Sequence, residues 1–142
     1  MVSDVKESRT IANELRPVVL RLGRELRREI HSLGVTGGQV SILAAIKHAP
    51  GITASAVAER ERVSAPAMSN HLARLEKAGL IERTREGIDR RRVGLTVSAE
   101  GDKVLRSVRQ RRTAWLAARL DKLTHDERVT IEAALPALEK LV

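Results

Sequence analysis

Residues 52–101 read ITASAVAERERVSAPAMSNHLARLEKAGLIERTREGIDRRRVGLTVSAEG, and the change of periodicity along this stretch decides the fold. Thr53 has the chemistry of an N-cap, opening a short helix to about Arg60 with Val57 and Ala58 turned inward. Glu61, Arg62 and Val63 make a turn, and Ser64 caps a second helix with Pro66 in its first turn, where a missing N–H costs nothing. That helix buries Met68, Leu72 and Leu75, runs to Ala78 and stops at Gly79. Leu80 to Arg85 then alternates, Gly87 marks a turn, and Arg91 to Val97 alternates again with Val93, Leu95 and Val97 on one face.

Two helices joined by a tight turn and followed at once by a β-hairpin form a winged helix-turn-helix. Working outward, Thr36 and Gln39 have capping-box spacing and open a helix with Val40, Leu43, Ala44 and Ile46 apolar, stopped by Pro50–Gly51. Ile52 reads as a very short strand. Upstream, Ile11, Leu15, Val18, Leu22, Leu26, Ile30 and Leu33 form one stripe of a long amphipathic helix ended by Gly34, which Pro17 should kink or break in two. Downstream, Ser98 caps a long helix to about Leu123. Thr124 and Glu127 box a last one carrying Ile131, Leu135, Leu138 and Leu141, with a kink expected at Pro136. The chain therefore reads as a single unit over 1–142, mainly α with a small β wing. The winged helix-turn-helix spans about 36–97, and the flanking helices span about 5–33 and 99–142. So small a centre cannot bury both terminal stripes, which predicts an intertwined homodimer held by those helices.

Composition narrows the partner. The net charge is +8, from 26 Lys and Arg against 18 Asp and Glu, and a chain so basic suits a polyanion. Binders of single strands and RNA loops stack bases on aromatic rings, and this chain has one Trp and no Tyr or Phe. Duplex DNA is the better match. The same lack of aromatic anchors argues against a peripheral membrane role. With no Cys, disulfides, thiolate metal sites and cysteine nucleophiles are excluded. No apolar run approaches membrane-spanning length, and residues 1–10 lack a signal-peptide core, so the expected location is cytoplasmic.

Residues 52–101 also resemble the winged helix-turn-helix of the MarR family of transcriptional regulators. The stretch LARLEKAGLIER, 72–83, is similar to that family's passage from recognition helix to first wing strand. Asp89, Arg91 and Gly101 fit its wing spacing, with Val97 and Ser98 where the family has Leu-Thr. The flanking helices match in order and length. The resemblance implies a regulator whose wing Arg, here Arg91, enters the minor groove and is oriented by Asp89. It also implies that effectors bind between the dimer helices and the winged domain.

A recognition helix lies in the major groove, where each base pair shows its own donor and acceptor pattern. A helical wheel of 64–78 turns Pro66, Ser69, Asn70, Ala73 and Lys77 outward. Ala65, Pro66, Ser69 and Asn70, in the first two turns after the Ser64 cap, are the candidates for base edges. Arg74 and Lys77 lie further along and suit phosphates. In the wing, Arg83, Arg85, Arg90, Arg91 and Arg92 outnumber Glu82, Glu86 and Asp89. Arg90 and Arg92 face away from Arg91, as phosphate contacts or plain surface. Thr53 and Ser55 open the first helix of the motif, where hydroxyls serve capping, phosphate binding or both.

No histidine pair has metal-ligand spacing among His31, His48, His71 and His125, and no glycine loop or nucleophile elbow is present. Neither a metal, a cofactor nor enzymatic activity is expected. Trp115 either lines a pocket for a small-molecule effector or packs in a core or dimer interface. Two functions remain open: a sequence-specific regulator, read as a repressor relieved by a small anionic aromatic ligand, and a non-specific architectural DNA binder. The outward Ser and Asn among small residues favour the first.

Overall fold

A computed structural model describes residues 2–85 and 92–142. Its elements are α1 (Val2–Arg28), a 3-10 turn (His31–Leu33), α2 (Gly37–His48), α3 (Ala54–Glu61), α4 (Ala65–Lys77), β1 (Ile81–Arg85), β2 (Val93–Val97), α5 (Ala99–Leu120) and α6 (His125–Glu139). Capping chemistry sets most starts. The Gln39 N–H donates to Thr36 Oγ1 at 3.2 Å while the Thr36 N–H donates to Gln39 Oε1 at 3.0 Å. The same reciprocal pair joins Thr124 and Glu127 ahead of α6. The Thr124 backbone N–H first, and the Thr124 hydroxyl second, hold the Glu127 carboxyl below its usual range.

α2, α3 and α4 enclose one core with the root of the hairpin. Leu43, Ile46, Val57, Met68, Leu72, Leu75 and Leu95 are all fully buried there, and burial of a large apolar side chain stabilises by roughly 1.5–3 kcal/mol each. Ile42 and Ala45 are buried as well, so α2 is apolar over more of its girth than the expected stripe because it packs between α3, β2 and α5. The two strands are antiparallel, with Ile81 opposite Val97, Arg83 opposite Leu95 and Arg85 opposite Val93. Ile52 adds the expected short bridge to Leu95. β2 begins at Val93 rather than Arg91; Gly87, Asp89, Arg90 and Arg91 lie outside the described residues.

Gly79, at φ +76°, takes the left-handed conformation that ends α4. α5 is then stitched to that turn. Ser98 Oγ donates to the Gly79 carbonyl at 2.5 Å and accepts from the Gly101 N–H at 3.0 Å, and the Ser98 N–H donates to the Leu80 carbonyl at 3.0 Å.

Three expectations are corrected. The first helix does not run to Leu33: α1 ends at Arg28, and a 3-10 turn closed by Gly34 follows. Ile30, at 0% exposure, belongs to the core of the winged motif, and the tighter turn swings it there. Nor does Pro17 divide the helix, because α1 is continuous across it; one lost backbone bond among many is tolerated in a helix this long. Finally, α5 ends at Leu120, three residues before the expected Leu123.

The terminal stripes stay outside. Ile11 is 55% exposed, Leu22 42%, Leu135 48% and Leu138 40%.

Candidate nucleic-acid interface

The site is built on α4. Met68, Leu72 and Leu75 clamp one face against the core, so the opposite face is presented rigidly to solvent. Ser64, Ala65, Pro66, Ser69, Asn70, Ala73, Arg74 and Lys77 are all exposed. Asn70 is exposed, with no side-chain hydrogen bond to another described residue, and its amide can both donate and accept. Small neighbours at Ala65, Pro66 and Ala73 let the backbone approach a flat partner closely.

Helix N-termini add polarity. Ser64 Oγ accepts from the Ala67 N–H, and Thr53 Oγ1 accepts from the Ala56 N–H, each at 3.3 Å. A hydroxyl that accepts still has a proton to donate, so capping leaves both able to meet a phosphate oxygen. Thr53 is half-buried and Ser55 exposed; Ser55 is the more open of the two.

The charges are less uniform than the sequence implied. Arg74 and Lys77 point outward, but Arg83 is engaged: its Nε sits 2.6 Å from Glu76 Oε2 on α4. It belongs to an ion pair within the site. Arg60, in the last turn of α3, and Arg62, its C-cap, are both exposed and were not among the expected contacts. Arg62 adopts φ 54°, ψ 43°, a left-handed conformation usually left to glycine, and nothing in the local sequence announces it.

Two of the clefts formed by the described residues matter here, and both lie away from α4. One of about 770 Å³ opens between α1, α5 and α6, lined by Leu22, Trp115, Leu120 and Ile131. The Arg119 guanidinium lies 4.9 Å from the centre of the Trp115 ring, a cation–π distance. The other, of about 520 Å³, lies between α2 and α5, with Val40, Ala44 and Val108 beside Lys47, Arg109 and Arg112. Arg112 Nε is buried there with no hydrogen-bond partner among the described residues. Among the described residues no group of three His, Asp or Glu side chains is placed to hold a metal ion, and no helix is long and apolar enough to cross a membrane.

The sequence profile of the MarR family matches residues 33–92. An uncharacterized HTH-type transcriptional regulator of Mycobacterium bovis is 35% identical over 132 residues, covering 93% of this chain and 92% of its own. The HTH-type transcriptional repressor MdtR of Bacillus subtilis is 32% identical over 127 residues, covering 89% of this chain and 78% of its own. Among solved structures, a Pseudomonas aeruginosa protein assigned as a transcriptional regulator superposes with a TM-score of 0.83 at 31% identity, over 95% of both chains.

Proposed function

Because the chain belongs to the MarR family of DNA-binding transcriptional regulators, we propose that it is a sequence-specific repressor. It acts in the cytoplasm as a homodimer on an inverted-repeat operator and is released by a small anionic aromatic ligand. The observation that carries this reading is the exposed face of α4. Ala65, Pro66, Ser69 and Asn70 stand together in its first two turns, opposite the buried Met68, Leu72 and Leu75. Asn70 pairs with an adenine edge, Ser69 meets either partner, and Pro66 or Ala65 touches a thymine methyl. Arg74 and Lys77 take phosphates, with Thr53, Ser55 and the Ser64 cap at helix N-termini. Asp89 and Arg91 extend the contact into the wing on the strength of the family resemblance, Arg91 in the minor groove, and Arg90, alternating with Arg91, takes a phosphate.

The homodimer is supported by the exposed stripes of α1 and α6, which lose their contact with water only against a second copy. The winged motif, about 36–97, then sits between the two dimerisation segments. Repression is supported by the Bacillus subtilis relative. Ligand release is supported by the two clefts, of which the basic one between α2 and α5 suits a carboxylate on an apolar body. No enzymatic role is assigned.

The test is selection of bound duplexes from a random pool. An enriched inverted repeat with half-sites about one helical turn, roughly 10 base pairs, apart is the expected result. Binding without enrichment makes the protein a non-specific architectural binder and defeats the proposal.

A further inference from the structure

α4 and the hairpin must reach DNA together. Leu95 ties β2 to Gly51 and Ile52 through backbone hydrogen bonds, and β1 is the strand that packs beside α4. Leu80 and Ile81 anchor the root of the hairpin in the core. Beyond them Glu82, Arg83 and Arg85 are exposed and Thr84 is half-buried, and Thr84 Oγ1 donates only across the hairpin, to the Gly94 carbonyl at 3.4 Å. Among the described residues, one side-chain hydrogen bond joins α4 to the hairpin: Arg83 Nε to Glu76 Oε2, 2.6 Å.

Glu76 is the sole acid on α4. Seven residues from Ser69, it falls on the same helix face two turns further along, where the proposed docking of α4 would bring it near a phosphate backbone. A carboxylate there repels DNA unless a cation offsets it. Arg83 supplies that cation from the hairpin face that also carries Ile81, because side chains two apart share a face.

We propose that Glu76 and Arg83 form a positioning brace. The pair sets the angle of the hairpin to the recognition helix, so that base reading by α4 and the wing's contact occur in one register, and Arg83 acts through Glu76 and not on phosphate. The inference rests on the reading that α4 and the wing both bind DNA.

Charge counting and bracing predict opposite signs. Glu76→Gln removes two negative charges per dimer beside DNA, and by charge alone it should tighten binding to every duplex. The brace predicts weaker binding to the selected duplex with no loss on a random-sequence duplex. The expected loss is roughly 2- to 30-fold, the factor that two partly exposed ion pairs correspond to. The experiment is fluorescence anisotropy on wild type, Glu76→Gln, Arg83→Gln and the swap Glu76→Arg/Arg83→Glu. A selected and a random duplex are titrated at several salt concentrations, with calorimetric melting of each variant.

The swap should recover most of the specific affinity, and Arg83→Gln should leave the salt slope at the wild-type value. A phosphate contact by Arg83 would lower the slope by about 0.9 per subunit, and that result overturns the proposal. So does tighter or unchanged binding of Glu76→Gln to the selected duplex, or a swap that folds and does not recover. A wild type that binds neither duplex instead removes the DNA-binding reading beneath it.

Discussion

Replacing Gly101 with Ala should destabilise the protein, although the change would favour an isolated helix. Gly101 is buried in the first turn of α5, where that turn lies directly on the backbone of Leu80. A Cβ built at position 101 collides with the Leu80 carbonyl oxygen and comes within 2.6 Å of Val97 Cγ1. The carbonyl cannot rotate away without disturbing the bond it accepts from the Ser98 N–H at 3.0 Å. Forcing a methyl into packed structure costs about 1–3 kcal/mol. The weakened hydrogen bond adds about 0.5–1.5 kcal/mol, and the better helix propensity of Ala returns at most about 1 kcal/mol. The net loss is about 0.5–4.5 kcal/mol, or roughly 2–14 °C in Tm for a chain of this size. Urea unfolding and scanning calorimetry at one fixed protein concentration measure it, since the proposed dimerisation would make Tm concentration-dependent. Gly38→Ala is the control. A Cβ there meets only Thr36 Oγ1, at 3.9 Å, so this variant should be as stable as wild type or slightly more so. A Gly101→Ala protein that melts with or above wild type refutes the packing argument.

Asn70→Ala should flatten preference at one base position in each half-site, by about 1–3 kcal/mol of discrimination, without changing the salt slope, whereas Arg91→Ala should weaken binding across sequences and lower the slope in part; anisotropy against single-base variants separates the two. Leu135→Asp with Leu138→Asp should give a monomeric or unfolded protein by light scattering, because both residues lie on the exposed stripe of α6. Glu127 has its carboxyl held below the usual range by Thr124, so its capping contribution is complete above the ordinary carboxylate pKa and is lost as pH falls through the depressed value. An NMR titration should therefore show Glu127 protonating below the ordinary glutamate range in wild type and moving up in Thr124→Ala.

Local chemistry was enough for most of the architecture. Thr36, Ser64, Ser98 and Thr124 are short hydroxyl side chains ahead of apolar periodicity, and all four cap helices as that pattern requires. The buried trio on α4 follows from a 3.6-residue repeat, and with it the exposed face that carries Ser69 and Asn70. Such readings succeed because cap, stripe and stop lie within a few residues of one another. Tertiary structure decided what depends on segments that meet only after folding. The stripe of the first helix is continuous in sequence, yet Ile30 enters the winged core while Ile11 and Leu22 remain exposed; periodicity shows that a face is apolar, not what it meets. Arg83 looked like one more wing cation until the turn at Gly79 folded the hairpin back and brought it to Glu76. Lys47 and Asp102, far apart in sequence, are paired at 2.6 Å by the packing of α2 on α5. Gly101 was legible as a glycine at a fixed spacing, but only the contact with Leu80 explains why a methyl group cannot stand there.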